Sequence, residues 1–585
     1  MKITRHTMKK AILLSACAVA ALFLSSCKSK VPAPTEDSRS PQEILFDDGN
    51  YAMFIHFGLY SKLEGVWKDK IYYGNAEWIM NGNQAGIPVD EYMAEAASFN
   101  PTEFDADAIV RLAKDAGMKY IIITSKHHEG FAMFDTKASD FDIVDATPLG
   151  RDLMGELADA CHREGLGIGF YYSQFQDWTA PGGGNGPKYD KDGREVSFDE
   201  YFRTKCVPQV EELTTKYGEI ELIWFDTPGD MQAGYSEELV QLVRKNQPHA
   251  LVSSRVGNGM GDYQTLGDME VPVANVEGRW EGIDVTQVGW GYSRYDNEWK
   301  SPGYIVRNLV STIARGGTWM LNVGPKADGS IPEMAAASLR KAGQWVKRHP
   351  EAVYGAGPSP WGHALPWGDA VQQKGKLELV VFDWPRNGEL TVPGLKTGVK
   401  SARLNGKKLA IKQKDGWLTV KVPVAAPDEY ASVIELILDS PAEADGGLAA
   451  DPRSVTVLPV EFASTSDCLA ERSGWMEKFG EWKVRNVVQR FNDSSTVTWT
   501  VNFKEPGVFA VDLEYLGGDT VEWKMALDGQ EALVDRHRNT PAYAWYPLGW
   551  ISIGSPGIHE LTLSPSDGDI ASARVAAMRL TPIDL

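Results

Sequence analysis

The first half of the chain alternates between amphipathic stretches and short, continuous apolar runs. Residues 105–116 carry apolar side chains at helical spacing, stop before Gly117 and lead into the apolar run 120–124. The same succession recurs with helical patterns at 153–164, 207–217 and 237–246 and apolar runs at 167–172, 222–226 and 250–253. Continuous apolar runs are typical of parallel strands that are covered on both faces. The repeat therefore predicts an α/β fold, a TIM-like (β/α) barrel over residues 44–350.

Beyond residue 350 the pattern changes to short strands separated by turn signals. Apolar runs at 377–382 and 418–422 lie on either side of the turn dipeptide Asn405-Gly406, and further runs follow at 497–503 and 508–513. This spacing is typical of β-sandwiches. We predict a β-sandwich at 351–440, a linker rich in Ala, Gly, Asp and Pro at 441–453, and a C-terminal β-sandwich at 454–585.

The first residues read as a targeting segment. A basic stretch precedes an apolar run at 11–24, which has the length of a signal-peptide core and is short for a membrane-spanning helix. The run ends in Leu24-Ser25-Ser26-Cys27, which resembles a bacterial lipobox. We expect 1–27 to be a lipoprotein signal peptide, Cys27 to carry the lipid, and 28–43 to be a flexible tether. The protein would then be secreted across a bacterial inner membrane and held by a lipid anchor, in the periplasm or at the outer membrane or cell surface.

Charge and cysteine content exclude several classes of function. The net charge of −20 argues against nucleic acid as the main partner. Only Cys161, Cys206 and Cys468 lie beyond the predicted signal peptide and anchor, too far apart for a readable disulfide framework or a cysteine-based metal site. We predict no cofactor and no metal ion. The 19 tryptophans fit a carbohydrate-binding protein, although core packing accounts for most of them.

Polar and aromatic residues follow the predicted barrel strands, at the end where active sites of such barrels lie. They are His56, the pair His127 and His128, Tyr172, Trp224 with Asp226, and Arg255. Aromatic faces contact the apolar side of a sugar ring, whereas His, Tyr and Arg bond its hydroxyls. A carboxylate at the anomeric carbon can form a covalent glycosyl intermediate or stabilise an oxocarbenium ion, and a second carboxyl group protonates the leaving oxygen. These residue types predict a hexose-binding pocket with hydrolytic chemistry.

Several ordered motifs in residues 44–332 resemble those of the α-L-fucosidases of glycoside hydrolase family 29. The motifs are Phe54-Ile55-His56-Phe57-Gly58, Ala76-Glu77-Trp78, the run from Lys126 to Phe131, Tyr171-Tyr172-Ser173, Trp224-Phe225-Asp226, Arg255, Trp280-Glu281 ahead of Gly289-Trp290-Gly291-Tyr292, and Gly316-Gly317 followed by the run from Leu321 to Gly329. The resemblance implies an exo-α-L-fucosidase that retains configuration by double displacement. Its substrate would be a fucosylated oligosaccharide or glycoconjugate.

The resemblance also implies roles for individual residues. Asp226 matches the family's nucleophile, and the positions that match the lining of the fucose pocket are His56, Glu77, Trp78, His127, His128, Tyr172, Trp224 and Arg255. The sequence departs from the family where Thr227-Pro228 follows the nucleophile, since many members have Gly there. It departs again where Gly282-Ile283-Asp284 replaces a segment that commonly carries Cys. Both departures leave the subgroup and the aglycone preference open.

The second carboxyl group has two candidates, because the family does not place it uniformly. Glu281, ahead of Gly289-Trp290-Gly291-Tyr292, matches one placement and is the first choice for the acid/base. Asp268 matches another placement and is the alternative. Whichever of the two is not the acid is expected to lie near the pocket, where it would tune hydroxyl binding or the pKa of the acid.

Three other functions remain open at this stage. The same barrel could act on α-L-galactose or another fucose-like sugar, because fucose is 6-deoxy-L-galactose and the choice depends on an apolar pocket for C6. The protein could also be a non-catalytic carbohydrate-binding protein. A metallohydrolase using His56, His127 and His128 is the third, but adjacent histidines on a strand point to opposite faces. The C-terminal sandwich either binds glycan through exposed aromatics such as Trp523, Tyr543 or Trp545, or braces the barrel; oligomeric state and linkage preference are not predicted.

Overall fold

The computed structural model describes residues 37–478, 480–538 and 541–583. The predicted signal peptide, Cys27 and residues 28–36 lie outside the described part. From Ser40 onward the chain forms one compact unit. The predicted tether is too long at its C-terminal end, because helix α1 (Pro41–Gly49) begins within it, with a capping box between Ser40 and Glu43. Of the helices that the structure describes, none is long and apolar enough to cross a membrane.

Eight parallel strands form the barrel, which confirms the predicted fold class. In chain order they are β1 (Tyr51–Ile55), β2 (Tyr120–Lys126), β3 (Gly167–Tyr172), β4 (Leu222–Phe225), β5 (Leu251–Val252), β6 (Gln264–Asp268), β7 (Trp280–Val285) and β8 (Thr318–Val323). The spatial order is β5-β4-β3-β2-β1-β8-β7-β6, and a parallel bridge between Ser253 and Tyr263 joins the two edges. All residues of β1, β2, β4, β7 and β8 are buried, as expected for strands that pack on both faces.

Helices cover the outside of the barrel between most of the strands. They are α2 (Ala106–Ala116), α3 (Leu153–Glu164), α4 (Val207–Thr215), α5 (Ala233–Asn246), α6 (Pro302–Ala314) and α7 (Glu333–Arg348). Asp105 and Asp152 cap the N-termini of α2 and α3, and Gly117 and Gly165 take left-handed conformations at their C-termini. These signals explain why both helices lie where the sequence predicts them. The connection from β5 to β6 is instead a 3-10 turn, Ser254–Val256, which carries Arg255.

A first β-sandwich follows the barrel. Its strands are β9 (Gly368–Gln373), β10 (Lys376–Val381), β11 (Glu389–Pro393), β12 (Val399–Leu404), β13 (Lys407–Leu409), β14 (Ile411–Lys414), β15 (Trp417–Lys421) and β16 (Ser432–Leu438). They form a five-stranded and a three-stranded antiparallel sheet. On the barrel side, Arg315 at the end of α6 forms a buried ion pair with Asp369 of β9, at 2.7 Å.

The C-terminal sandwich has two larger sheets. Its strands are β17 (Leu448–Ala450), β18 (Thr456–Pro459), β19 (Ala463–Ser466), β20 (Leu469–Met476), β21 (Trp482–Gln489), β22 (Thr496–Phe503), β23 (Gly507–Leu516), β24 (Thr520–Leu527), β25 (Gln530–Arg538), β26 (Ala544–Ile553), β27 (Gly557–Gly568) and β28 (Arg574–Pro582). The sheet orders are β17-β22-β27-β24-β25, with β19 paired to β22, and β20-β21-β28-β23-β26, with β18 paired to β28.

Two expectations for this region need correction. Part of the predicted linker is structured, because the apolar strand β17 is buried and pairs in parallel with β22. Trp523 is almost fully buried and contacts Phe491 and Tyr515 edge to face, so it belongs to the core and is not an exposed glycan-binding residue. Tyr543 and Trp545 are half-buried.

Candidate active site

A cavity of about 430 Å³ opens at the C-terminal ends of the barrel strands. This is within the size range of small-molecule sites and fits a monosaccharide. Nine of the residues singled out in the sequence line it: His56, Glu77, Trp78, His127, His128, Trp224, Asp226, Arg255 and Asp268. Two others, Tyr172 and Glu281, are not on its wall.

Asp226 follows the last residue of β4 and is held by contacts on both carboxylate oxygens. Tyr171 donates a hydrogen bond to Oδ2 at 2.8 Å, and Arg255 Nη1 donates to Oδ1 at 3.0 Å. His128 Nε2 lies 3.5 Å from Oδ2. Burial opposes ionisation of this carboxyl, but the positive charge of Arg255 and the hydrogen bonds from Arg255 and Tyr171 outweigh it and lower the pKa of Asp226 below its ordinary value. Asp226 is therefore an oriented, ionised carboxylate on the cavity wall.

Arg255 connects Asp226 to Asp268, another acidic residue on the cavity wall. Its Nη2 donates to Asp268 Oδ1 while its Nη1 bonds Asp226, and the guanidinium lies 4.9 Å above the ring of Trp224. The two carboxylates raise the pKa of Arg255 against the effect of burial, so the side chain keeps its charge.

The three histidines of the cavity are neutral hydrogen-bonding groups. Burial lowers the pKa of His56 to about 3 and that of His128 to about 4, and it lowers the pKa of His127 well below its ordinary value. His56 Nδ1 lies 2.8 Å from Asn322 Oδ1, while Asn322 Nδ2 donates to the carbonyl of Trp290 at 2.7 Å. Asn322 Oδ1 thus accepts a hydrogen bond from His56 Nδ1–H, which leaves Nε2 as an acceptor for a sugar hydroxyl.

The positions of His127 and His128 correct one step of the sequence argument. Both lie beyond the end of β2, in a turn where strand alternation no longer applies, and their ring centroids are 4.1 Å apart. Ligand atoms of His127, His128 and Asp226 all lie within 4.8 Å of one another, which is the spacing of a cation site. However, Asp226 already accepts bonds from Tyr171 and Arg255, and a guanidinium at 3.0 Å repels a second cation. The group therefore fits hydrogen bonding to a sugar better than it fits a metal ion.

Glu77 and Trp78 reach the cavity from a 3-10 turn, Ala76–Trp78, outside the barrel strands. Glu77 Oε2 accepts a bond from the backbone N–H of Gly291 at 2.8 Å, and its Oε1 has no hydrogen-bond partner among the described residues. Burial raises the pKa of Glu77 to about 7. Trp78 meets His128 edge to face, with centroids 5.3 Å apart. This turn supplies one more buried carboxyl group and an aromatic face to the pocket.

The structure replaces Tyr172 by Tyr171 as the tyrosine of the site. The two residues end β3 and point to opposite sides of the barrel wall. Tyr171 bonds Asp226 and stacks on Trp224 with centroids 5.4 Å apart. Tyr172 points outward and donates to Gln209 of α4 at 2.8 Å. The motif is where the sequence predicts it, but the side chain that contacts Asp226 is that of its first tyrosine.

Glu281 lies behind the cavity wall and not on it. It is fully buried on β7, and its Oε1 accepts bonds from Trp224 Nε1 at 2.5 Å and from Thr265 Oγ1 at 2.7 Å. Burial raises its pKa to about 7. Asp268, at the end of β6, is on the wall and has 22% of its side chain exposed. Of the two candidates for the second carboxyl group, only Asp268 faces the cavity.

Other lining residues went unassigned in the sequence. Phe54, Ile283 and Trp290 form an apolar part of the wall; Phe54 and Trp290 stood inside recognised motifs, which was the available signal. Met476 and Trp482 also line the cavity, although they belong to the C-terminal sandwich. No local pattern marks these two, because their role depends on how the sandwich packs against the barrel.

Comparisons with known proteins show which family the chain resembles. The family model described as Alpha-L-fucosidase matches residues 21–351. A relative named alpha-L-fucosidase from Dictyostelium discoideum is 28% identical over 450 residues, which cover 70% of this chain and 95% of the relative. The structure of an alpha-L-fucosidase from Vibrio sp. strain EJY3 superposes with a TM-score of 0.74 at 28% identity and covers 92% of this chain and 97% of that one. Alpha-L-fucosidase isoenzyme 1 from Paenibacillus thiaminolyticus gives a TM-score of 0.61 at 33% identity and covers 67% and 98%.

Proposed function

The chain belongs to the alpha-L-fucosidase family of glycoside hydrolases, and from that premise we propose that it is a retaining exo-enzyme that removes terminal α-L-fucose by double displacement. The observation that carries the proposal is the pair Asp226 and Asp268, which share the guanidinium of Arg255 on the wall of one cavity. Retaining hydrolysis of a glycosidic bond requires two carboxyl groups, one as the nucleophile and one as the proton donor. The monosaccharide-sized cavity supports attack at a chain end.

The apolar part of the wall supports fucose as the sugar. Phe54, Ile283 and Trp290 offer carbon surface where a C6 methyl group would be buried. L-Galactose carries a hydroxyl at C6, and burying that hydroxyl against carbon without a partner costs about 1–3 kcal/mol. The neutral histidines and Glu77 supply bonds for the remaining hydroxyls.

In the first step, Asp226 attacks C1 as the bond from C1 to the leaving oxygen breaks. Asp268 enters this step carrying a proton taken up from solvent, gives that proton to the leaving oxygen and becomes a carboxylate, while a fucosyl ester forms on Asp226. In the second step, Asp268 takes a proton from water, the water oxygen attacks C1, and the ester bond breaks. Two inversions restore the α configuration. Arg255 serves both steps, because it stabilises Asp226 before attack and the carboxylate of Asp268 once Asp226 has lost its charge in the ester.

We assign the acid/base role to Asp268 because of its position in the cavity. The leaving group must depart through the mouth, and Asp268 is the most exposed of the candidate carboxyls. Glu77 is nearly fully buried and bonded to the Gly291 backbone, so it is placed to meet the sugar ring. Glu281 is separated from the cavity by the indole of Trp224, to which it is bonded. We therefore propose that Glu281 positions Trp224.

The substrate and location form the remaining part of the proposal. Family membership supports a fucosylated oligosaccharide or glycoconjugate as the substrate. The basic and apolar run that ends at Cys27 supports secretion and lipid anchoring, so that the enzyme meets such glycans outside the bacterial cytoplasm.

Replacing the nucleophile tests the proposal. Asp226→Gly should lower kcat/KM on an aryl α-L-fucoside by roughly 10³-fold or more, because the ester can no longer form. Azide should restore turnover in the space left by the carboxylate and give β-L-fucosyl azide. Proton NMR of the wild-type reaction should show α-L-fucose as the first product, and a chelator should leave the rate unchanged. β-L-Fucose as first product, or a variant with near wild-type turnover, would overturn the assignment.

A further inference from the structure

The outer part of the cavity wall comes from a different domain. Met476 and Trp482 line the cavity, and they are the last residue of β20 and the first of β21 in the C-terminal sandwich. They are directly opposite each other in the antiparallel register of this hairpin. Side chains of opposed residues lie on the same face of a pair of strands. The tip of the hairpin therefore presents a thioether and an indole side by side to the cavity.

Several contacts attach the β20–β21 hairpin to the barrel. Glu481 forms an ion pair with Lys300 at 2.7 Å, and both side chains are mostly buried. Arg472 pairs with Glu270 at 2.5 Å. Gly480 lies so close to Asn75 that a Cβ there would be 1.9 Å from the Asn75 side-chain oxygen. Contacts of this kind indicate a fixed position of the hairpin on the barrel.

The hairpin lies beside the groups that handle the leaving group. Glu270, which bonds Arg472, is two residues beyond Asp268, and it also accepts a bond from the backbone N–H of Gly267 at 3.1 Å. Asp226 and the histidines are buried deeper, whereas Met476 is 46% exposed. A fucose bound against Asp226 would therefore direct its glycosidic oxygen toward Asp268 and toward the hairpin.

We infer that the β20–β21 hairpin forms the binding site for the sugar unit next to fucose, with Trp482 as the surface on which that pyranose ring stacks and Met476 beside it. This inference rests on the proposed function, since it takes fucose to occupy the cavity. An indole offers a flat apolar face to the C–H side of a pyranose ring, and a flexible thioether adapts to its neighbours. The C-terminal sandwich then acts as part of the active site and selects the leaving group.

Paired substrates test the inference. α-L-Fucosyl fluoride has a one-atom leaving group that cannot reach the hairpin, whereas a fucosyl disaccharide places a full ring there. Trp482→Ala should lower kcat/KM at least 10-fold on the α1,2-, α1,3-, α1,4- or α1,6-linked fucosyl disaccharide that the wild type hydrolyses fastest. On the fluoride the loss of kcat/KM for the same variant should be several-fold smaller than on the disaccharide. Met476→Ala should show the same selectivity with a smaller loss, and Trp482→Phe should recover part of the disaccharide activity.

A matched control separates this effect from general damage to the sandwich. Trp550 is 62% exposed on β26 of the same domain and does not line the cavity. Trp550→Ala should therefore leave kcat/KM on both substrates unchanged. If Trp482→Ala lowers kcat/KM equally on both substrates, or on neither, the inference is overturned. The proposed function would still stand in that case, because the wild type is active. A wild type that turns over neither substrate nor an aryl fucoside would overturn the proposed function and this inference with it.

Discussion

The two acidic residues that sequence motifs offer as proton donors differ in what their oxygens contact. Asp268 shares Arg255 with Asp226 at the cavity wall. Glu281 bonds the indole of Trp224 and the hydroxyl of Thr265 behind that wall. Each matches a placement that the resemblance to the family allows for this group, so the sequence alone could not separate them. The separation depends on which side of Trp224 each carboxyl occupies, and that is a property of the folded barrel.

We predict that Asp268→Asn shows a strong dependence on the leaving group. A sugar leaving group needs a proton and a dinitrophenolate barely does, so the variant should lose orders of magnitude in kcat/KM on a fucosyl disaccharide and far less on a dinitrophenyl fucoside. Glu281→Gln is the control, because it keeps the shape of the residue behind Trp224. It should lower kcat/KM on both substrates by a similar factor, as expected for a residue that acts by positioning Trp224. Steady-state kinetics of the two variants decide the question, and exchanged patterns would assign the acid to Glu281.

Residue-level predictions hold best where a side chain follows a strand end. His56, Asp226 and Arg255 lie at the cavity as expected, because the carboxyl ends of parallel strands converge there. The backbone after Asp226 was not predictable. Thr227 adopts φ of 44°, in the left-handed region that glycine takes without strain. The glycine that the resemblance to the family leads us to expect here would take this conformation without strain.

At the scale of elements, β3 shows how a correct strand can still give a wrong residue. Its bounds, Gly167–Tyr172, agree with the apolar run in the sequence. In a strand that is buried on both faces, however, both tyrosines are apolar enough for either side, and the pattern does not indicate which one points inward. Only the barrel geometry directs Tyr171 to Asp226 and Tyr172 to Gln209.

This pair of tyrosines makes a matched test of the orientation. The hydroxyl of Tyr171 helps to lower the pKa of Asp226, so Tyr171→Phe should raise that pKa. Because Asp226 must be ionised to attack, the acidic limb of the kcat/KM–pH profile should move to higher pH, with a loss of activity below it. Tyr172→Phe should leave the acidic limb unchanged and cost about 1 kcal/mol of folding stability through the lost bond to Gln209. A shift of the acidic limb in the Tyr172 variant alone would show that Tyr172, and not Tyr171, contacts Asp226.

The barrel segment from β5 to β7 lies beyond what local patterns predict. β5 has two residues, and a 3-10 turn replaces the helix that usually follows a strand. Partly exposed polar residues make up much of β6, so it lacks the apolar run that marks the other strands. The sequence predicts helices such as α2 and α3 because caps and apolar spacing are local signals. Strands β5 and β6 depend on closure of the barrel, which is a long-range constraint.

At the scale of the whole molecule, the C-terminal sandwich supplies part of the cavity wall. Met476 and Trp482 line the cavity although they lie far from Asp226 and Asp268 in sequence. The predicted order of barrel and sandwiches agrees with the structure, because each domain has its own periodicity. How the domains pack together leaves no periodic signal, since it rests on single contacts such as Lys300 with Glu481 and Arg315 with Asp369.

The Arg315–Asp369 pair allows the coupling between barrel and first sandwich to be measured. Both side chains are almost fully buried, and Asp369 also accepts a bond from Ser311 at 2.6 Å. Asp369→Ala would leave the guanidinium charged, buried and without its partner, which typically costs about 3–5 kcal/mol. Asp115→Ala is the control, because its ion pair with Lys347 is more than half exposed and should contribute under about 1 kcal/mol. Urea unfolding followed by tryptophan fluorescence should therefore show a much lower free energy of unfolding for Asp369→Ala than for Asp115→Ala. Similar small losses in both variants would show that the sandwich packs on the barrel without depending on this pair.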